Sequence, residues 1–245
     1  MVDEVIGDIF LVRGGSKFST VIVNAQKVLY SKAKSSHVEF YLGDGSIIHS
    51  TGDNGVHLAF LLDELKDIKD EWKVIRLRGL TEQDTENLAK AALFFLRQEY
   101  NVKYMMEGVD NKSFCSELIA KIYMKANITI FDGKEPSKIT PAHFDKEFDQ
   151  LNLWEDVTSE YQEIIKEITE REFEYRFAHK TIEGALAKRH ILSHIRKSLS
   201  ETADIISKET GNESASTLFD KLKKELSQSR TLDFWDENDT FPYKK

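Results

Sequence analysis

The chain has 245 residues, 40% hydrophobic and 31% charged, with 12 glycines and 3 prolines. That balance describes a folded, soluble protein with room for one domain plus an appendage, and excludes a disordered chain. A formal net charge of −8 argues against nucleic acid as a partner, because phosphate binding draws on Lys and Arg, and a single cysteine excludes an intramolecular disulfide and any zinc site built on several thiolates.

In chain order, Met1 to Gly7 carries two acids and no basic stretch ahead of a hydrophobic segment. A signal peptide is therefore not expected. No apolar run approaches the roughly 18 residues that cross a bilayer, so a transmembrane segment is not expected either. A cytoplasmic location follows, with signal-independent export left open. Ile6 to Val12 reads as a strand closed by Gly14-Gly15. Val38 to Leu42 alternates, Gly43-Asp44-Gly45 follows, and Ile47 to Ser50 completes a hairpin signature. His57 falls on another alternating stretch and reads as a surface or substrate-edge residue. Lys73 to Leu77 is a further strand. Thr81 caps a helix whose apolar residues Leu88, Ala91, Ala92, Phe95 and Leu96 carry it to about Glu99. A second amphipathic helix fits Cys115 to Lys125. His143, just after Pro141-Ala142, reads as a surface residue at a helix start.

After Asp156 the character changes. Glu160 to Lys208 is dense in charge, lacks proline and holds one glycine, with Ile182, Leu186, Ile195, Leu199 and Ile206 at helical spacing. This predicts a helical hairpin or long amphipathic helices, broken at Gly211-Asn212 and followed by a last short helix around Leu218 to Leu226. The expected division is a catalytic domain over residues 1–156 and a helical extension over 157–245. The extension's basic cluster (Lys188, Arg189, His190, His194, Arg196 and Lys197) reads first as a solvated face, and second as a contact for a partner or an anionic membrane surface. Phe234 and Trp235 read as a tail anchor or contact surface.

Chemistry concentrates at Cys115. It opens a helix, where free N–H groups and the helix dipole favour a thiolate and can also hold the oxyanion that thiolate attack creates. Two histidines that could serve as its base, His37 and His49, flank the hairpin. A two-residue Asp44-Gly45 turn pairs Phe40 with His49 and sends the two rings to opposite faces. A three-residue Gly43-Asp44-Gly45 loop pairs Glu39 with His49 and puts both rings on one face. Composition leaves both open; the chemistry asks for the second. A metal site from His37, His49 and Asp8 lacks any familiar ligand spacing, so neither metal nor cofactor is expected.

Five pieces of sequence together resemble a known family: Gly7-Asp8-Ile9-Phe10; Ser36-His37-Val38-Glu39-Phe40-Tyr41-Leu42-Gly43; Ser46-Ile47-Ile48-His49-Ser50-Thr51; Gly55-Val56; and Phe114-Cys115-Ser116-Glu117-Leu118. In this order they are similar to the circularly permuted NlpC/P60, papain-like cysteine hydrolases of the YiiX and YycO kind, over roughly residues 5–150, including Ile139-Thr140-Pro141. The resemblance implies an α+β papain-like fold, a small antiparallel sheet packed on helices. It implies Cys115 as nucleophile, His37 as base and later acid, His49 as the orienting third residue, and a structural role for Asp8. Glu39, Tyr104 and Ser116 are candidates to line the substrate pocket. Relatives place a small residue where Glu39 stands, so Glu39 either tunes His49 or blocks the cleft. The implied activity is hydrolysis of an amide, of the peptidoglycan-peptide type or another, through a thioester. The rivals are an acyl or thioester hydrolase (or acyltransferase) acting on lipid, and an inactive binding module. A peptide or acyl-bearing substrate is the only partner the resemblance implies.

Overall fold

The computed structural model describes residues 5–15, 17–66, 68, 72–103, 106 and 108–228. It is an α+β protein built on a six-stranded antiparallel sheet. The strands are β1 (Ile9–Val12), β2 (His37–Gly43), β3 (Ser46–Thr51), β4 (Gly55–Phe60), β5 (Lys73–Leu77) and β6 (Trp154–Asp156), in the order β4-β3-β2-β1-β5-β6. The helices are α1 (Lys17–Gln26), α2 (Leu61–Leu65), α3 (Glu82–Phe94), α4 (Cys115–Lys125), α5 (Pro141–Gln150), α6 (Thr158–Glu170), α7 (Glu172–Thr210) and α8 (Ser214–Gln228).

Period-two alternation divides the sheet's side chains between two cores. Ile9, Leu11, Val38, Phe40, Ile48 and Ile75 pack under α3 and α4, against Leu88, Leu118, Ile119 and Ile122. Phe10, Val12, Tyr41, Ile47 and Val74 pack on the other face against Tyr161, Ile164 and Ile168 of α6. The sheet is thus covered on both sides, and α6 is part of the second core. Asp8, the buried acid of the Gly7-Asp8 piece, ties that helix down. It accepts hydrogen bonds from the Arg76 guanidinium at 2.8, 2.9 and 3.3 Å, and one from the Tyr161 hydroxyl at 2.7 Å. This places Asp8 in a structural ion pair, among partners other than the histidines with which a metal site had been considered.

The hairpin resolves the open register in an unforeseen way. Asp44 and Gly45 both take left-handed backbone conformations, φ 50° and 66°, which is the two-residue turn. Yet the ladder shifts by one residue between Tyr41 and Gly43, so Phe40 pairs with Ile48, not His49. A bulge at Leu42-Gly43 thereby restores the register that puts Glu39 and His49 on one face.

Two helices differ from expectation. α3 stops at Phe94 rather than near Glu99 because Arg97 turns left-handed, φ 71°, and the chain leaves to clamp β4: Arg97 donates to the Val56 carbonyl and Val56 to the Gln98 carbonyl. The helical hairpin expected after residue 160 is α6 and α7, broken at Arg171. The start of α7 docks on the sheet edge: His179 Nδ1 lies 3.0 Å from the Ser46 hydroxyl, and Arg176 pairs with Asp63 at 2.7 Å. Farther along, Ile191, Leu192, Ile195 and Leu199 are exposed. No described helix is long and apolar enough to cross a membrane. Phe234 and Trp235 lie outside the described residues, as does the side chain of Arg196.

Candidate active site

Cys115 is the first residue of α4, and Phe114 in extended backbone is its N-cap. A buried network fixes this helix start. The Glu117 carboxylate accepts from the Phe114 N–H at 3.3 Å and from Asn101 at 3.0 Å, and pairs with Lys121 at 2.9 Å. Lys121 in turn donates to the carbonyls of Val109 and Lys112 at 2.8 and 2.7 Å. Just before the cysteine, the Ser113 carbonyl accepts from the Ser50 hydroxyl of β3 at 2.6 Å. The helix tip is therefore bolted to the hairpin. The backbone N–H groups of Val38 in β2, Ser116 and Cys115 itself lie around the sulfur.

Those donors favour a thiolate, as a helix start should, but burial outweighs them and pushes the thiol up to about 11. Burial thus works against the thiolate that the helix start favours, and a thiol in this state would need a base in order to attack.

Bases stand in a row on the α6 side of the sheet. Cross-strand pairing sets Val12 opposite His37, Phe10 opposite Glu39 and His49 opposite His57. His37 Nε2 lies 3.1 Å from His49 Nδ1, His49 Nε2 lies 3.0 Å from His57 Nε2, and His57 Nδ1 lies 2.9 Å from the Gly55 carbonyl oxygen. Burial, helped by the neighbouring rings, holds His37 down at about 4 and His49 at about 3. Both are uncharged near neutrality.

The carbonyl at the end of this row fixes one proton position. It can only accept, so His57 Nδ1 carries hydrogen. In a row of three uncharged rings, His57 Nε2 is bare and takes the His49 Nε2–H. His49 Nδ1 is then bare and takes the His37 Nε2–H. His37 Nδ1 is left as a lone pair, which is what a base for a thiol requires.

Glu39 is buried beside this row. Its Oε1 lies 3.4 Å from His49 Nδ1 and 3.8 Å from His37 Nε2, and its Oε2 has no hydrogen-bond partner. Burial raises its pKa.

A cleft of about 600 Å³ brings His37, Glu39, His49 and Cys115 together. Its walls are largely apolar, including Val12, Ile22, Ile68 and Val102, and Tyr100 completes it near the sulfur. Of the pocket candidates, Glu39 lines the cleft. Ser116 is fully buried, its hydroxyl donates to the Ile139 carbonyl at 2.8 Å, and it is not among the lining residues. Tyr104 lies outside the described residues. Tyr100 was not anticipated, since nothing in a lone upstream tyrosine distinguishes it from a core aromatic. His57 was read as a surface or edge residue, and its pairing with His49 depends on the register of β4, which no local motif specifies. His143 caps α5, its Nδ1 accepting from the Thr140 N–H at 3.1 Å.

A family model described as "permuted papain-like amidase enzyme, YaeF/YiiX, C92 family" matches residues 6–167. Among solved structures, the chain is similar to the metalloprotein YiiX from Escherichia coli O157:H7, at 22% identity and a TM-score of 0.43, covering 63% of this chain and 88% of that one. No curated protein matches.

Proposed function

Because this chain belongs to the permuted papain-like amidase family, we propose that it hydrolyses an amide bond with Cys115 as nucleophile, His37 as general base and acid, and His49 as the residue that orients His37. The observation that carries the reading is the ring-to-ring chain ending on the Gly55 carbonyl, in a cleft shared with Cys115; with the three rings uncharged, that chain leaves a lone pair on His37 Nδ1.

In this mechanism the thiol proton moves to His37 Nδ1 as sulfur attacks the carbonyl carbon. The tetrahedral oxyanion rests against N–H groups at the start of α4. His37 then hands its proton to the departing amine, leaving a thioester. Water, deprotonated by the same ring, attacks the thioester and releases the acid. A neutral thiol–imidazole pair suits the raised thiol and depressed ring, since neither group must hold a buried charge before substrate arrives. The order of parts, histidine strands before cysteine helix, supports the wider kinship with permuted NlpC/P60 proteins.

We propose a peptide amide as substrate, of the peptidoglycan-peptide type or another. The apolar walls of the cleft favour a second reading, an acyl or thioester hydrolase acting on lipid. The catalytic unit in this proposal runs through α6, because Tyr161, Ile164 and Ile168 fill one face of the sheet. The extension is then α7 and α8, controlling access or partner choice.

The test is a panel of chromogenic peptide amides beside acyl esters, with the acyl-enzyme trapped by acid quench and weighed by intact mass. The expected result is turnover and a thioester adduct, both lost in Cys115→Ala and in His37→Gln. Turnover that survives Cys115→Ala would sink the proposal, and turnover confined to esters would favour the acyl reading.

A further inference from the structure

We propose that His37 Nε2, His49 Nδ1 and the Glu39 carboxylate form a binding site for one divalent transition-metal ion of the zinc class, and that its occupation switches off the hydrolase reading given above. The metal-binding half stands on geometry alone; the inhibitory half rests on that reading.

The three ligand atoms lie 3.1, 3.4 and 3.8 Å apart. Zinc bonds of about 2.0–2.1 Å in a tetrahedral arrangement separate neighbouring donors by about 3.4 Å. The triangle is already of the size an ion would impose. It is also of the right chemistry, two imidazoles and one carboxylate, the set that holds a catalytic-type zinc with its fourth position open. Among the described residues this is the one group of His, Cys, Asp and Glu whose ligand atoms converge so closely.

Two further observations point to a ligand. Glu39 is 2% exposed and its Oε2 has no hydrogen-bond partner, a state that costs free energy unless something positive occupies the space before it. His49 meanwhile has the support that metal-binding imidazoles need. Its second nitrogen is held by His57, and His57 by the Gly55 carbonyl, so the ring is fixed with Nδ1 turned to the triangle.

The consequence for His37 is a change of tautomer. An ion on Nε2 takes the lone pair of that nitrogen and displaces its hydrogen, so the ring's one remaining proton sits on Nδ1. The nitrogen that must accept the thiol proton is then already protonated. Metal and amide hydrolysis compete for one ring, with no redox step and no change in covalent bonds other than that proton's position.

The experiment titrates metal-free Cys115→Ala protein with Co²⁺ and Zn²⁺, reading cobalt d–d absorption and zinc competition against a chromophoric chelator. This arm needs no activity. We expect one ion per chain and tetrahedral cobalt bands without sulfur charge transfer. Affinity should fall at least 100-fold in Glu39→Gln and in His49→Gln, and about 10-fold in His57→Gln through lost support of His49. A rise in melting temperature with Zn²⁺ that Glu39→Gln lacks would show that the variant still folds and has lost only the site. Absence of stoichiometric binding, or binding indifferent to Glu39, overturns the site. The second arm adds Zn²⁺ to the active wild type, where rate should fall along the binding curve and return with chelator. Binding without inhibition, or metal-dependent hydrolysis in Cys115→Ala, overturns the inhibitory half and leaves the site standing.

Discussion

Asp8 and Glu39 are both carboxylates buried on the α6 face of one sheet, and the protein treats them in opposite ways. Asp8 is saturated, held by a two-pronged guanidinium and a tyrosine hydroxyl. Glu39 has only two uncharged rings beside one oxygen, at 3.4 and 3.8 Å, and no partner for the other. A carboxylate kept for structure is satisfied by fixed donors. One whose neighbours are all titratable or ligand-forming, and whose second oxygen is empty-handed, is the candidate for a role other than stability. The contrast separates the scaffold from the site more sharply than residue type does.

The largest effect should come from breaking the satisfied member. Asp8→Asn removes the buried one of Arg76's two carboxylate partners, leaving Glu160 at 3.1 Å, and frees the Tyr161 hydroxyl of α6 from its acceptor; it should cost up to about 3–5 kcal/mol in urea unfolding, the usual loss when half of a buried pair is removed. Glu39→Gln in metal-free protein should cost less than about 1 kcal/mol or stabilise, because it replaces a buried carboxyl group whose second oxygen has no hydrogen-bond partner. Equal losses at the two positions would erase the distinction drawn between them.

Next in size is the support of the site row. Gly55 takes φ 62°, and a Cβ there would stand 2.2 Å from the Gln98 carbonyl oxygen, a backbone atom that cannot swing aside. Gly55→Ala should cost about 2–4 kcal/mol and, by moving the carbonyl that fixes His57, should also lower turnover in the protein that remains folded.

Acid should then expose the site row. His37 and His49 are held down at about 4 and about 3 by burial, against 6.5 for an exposed ring. The unfolded chain therefore binds protons that the native state refuses. Stability should be full above about pH 6.5 and fall as pH drops below it, by roughly 4 kcal/mol for the two rings together at about pH 5. His49→Gln should flatten that slope in metal-free protein; an unchanged slope would place the acid sensitivity elsewhere.

The sequence carried the row only in part, for physical reasons. Cys115 and the two hairpin histidines were legible because a helix start and a strand hairpin are local patterns. The choice of face was not. It depends on a bulge at Leu42-Gly43 added to a two-residue turn, and both alternatives use the same glycines. His57 escaped because its partner is set by strand pairing, and the early end of α3 because a left-handed Arg97 is dictated by its contact with β4. The long-range links, Asp8 to Tyr161 and Glu117 to Lys121 and the loop before Cys115, join residues by packing that no spacing announces.

The smallest effect on stability, and the sharpest on mechanism, concerns the sulfur. If burial governs Cys115, the rate of its alkylation by iodoacetamide in substrate-free, metal-free protein should rise with pH along a single step near 11, with no plateau at neutral pH. A stable thiolate–imidazolium pair would instead give a fast rate that persists below pH 7 and falls only as the pair is protonated. The two outcomes imply different mechanisms for the proposed hydrolase. In one, charge is created only inside the substrate complex, where the oxyanion forms beside the N–H groups of α4. In the other, a charged pair waits in the cleft, and the uncharged histidine row behind it would have to accommodate an imidazolium that its burial opposes. Cys115 alkylating rapidly at pH 6 would overturn the neutral-pair mechanism while leaving the nucleophile in place.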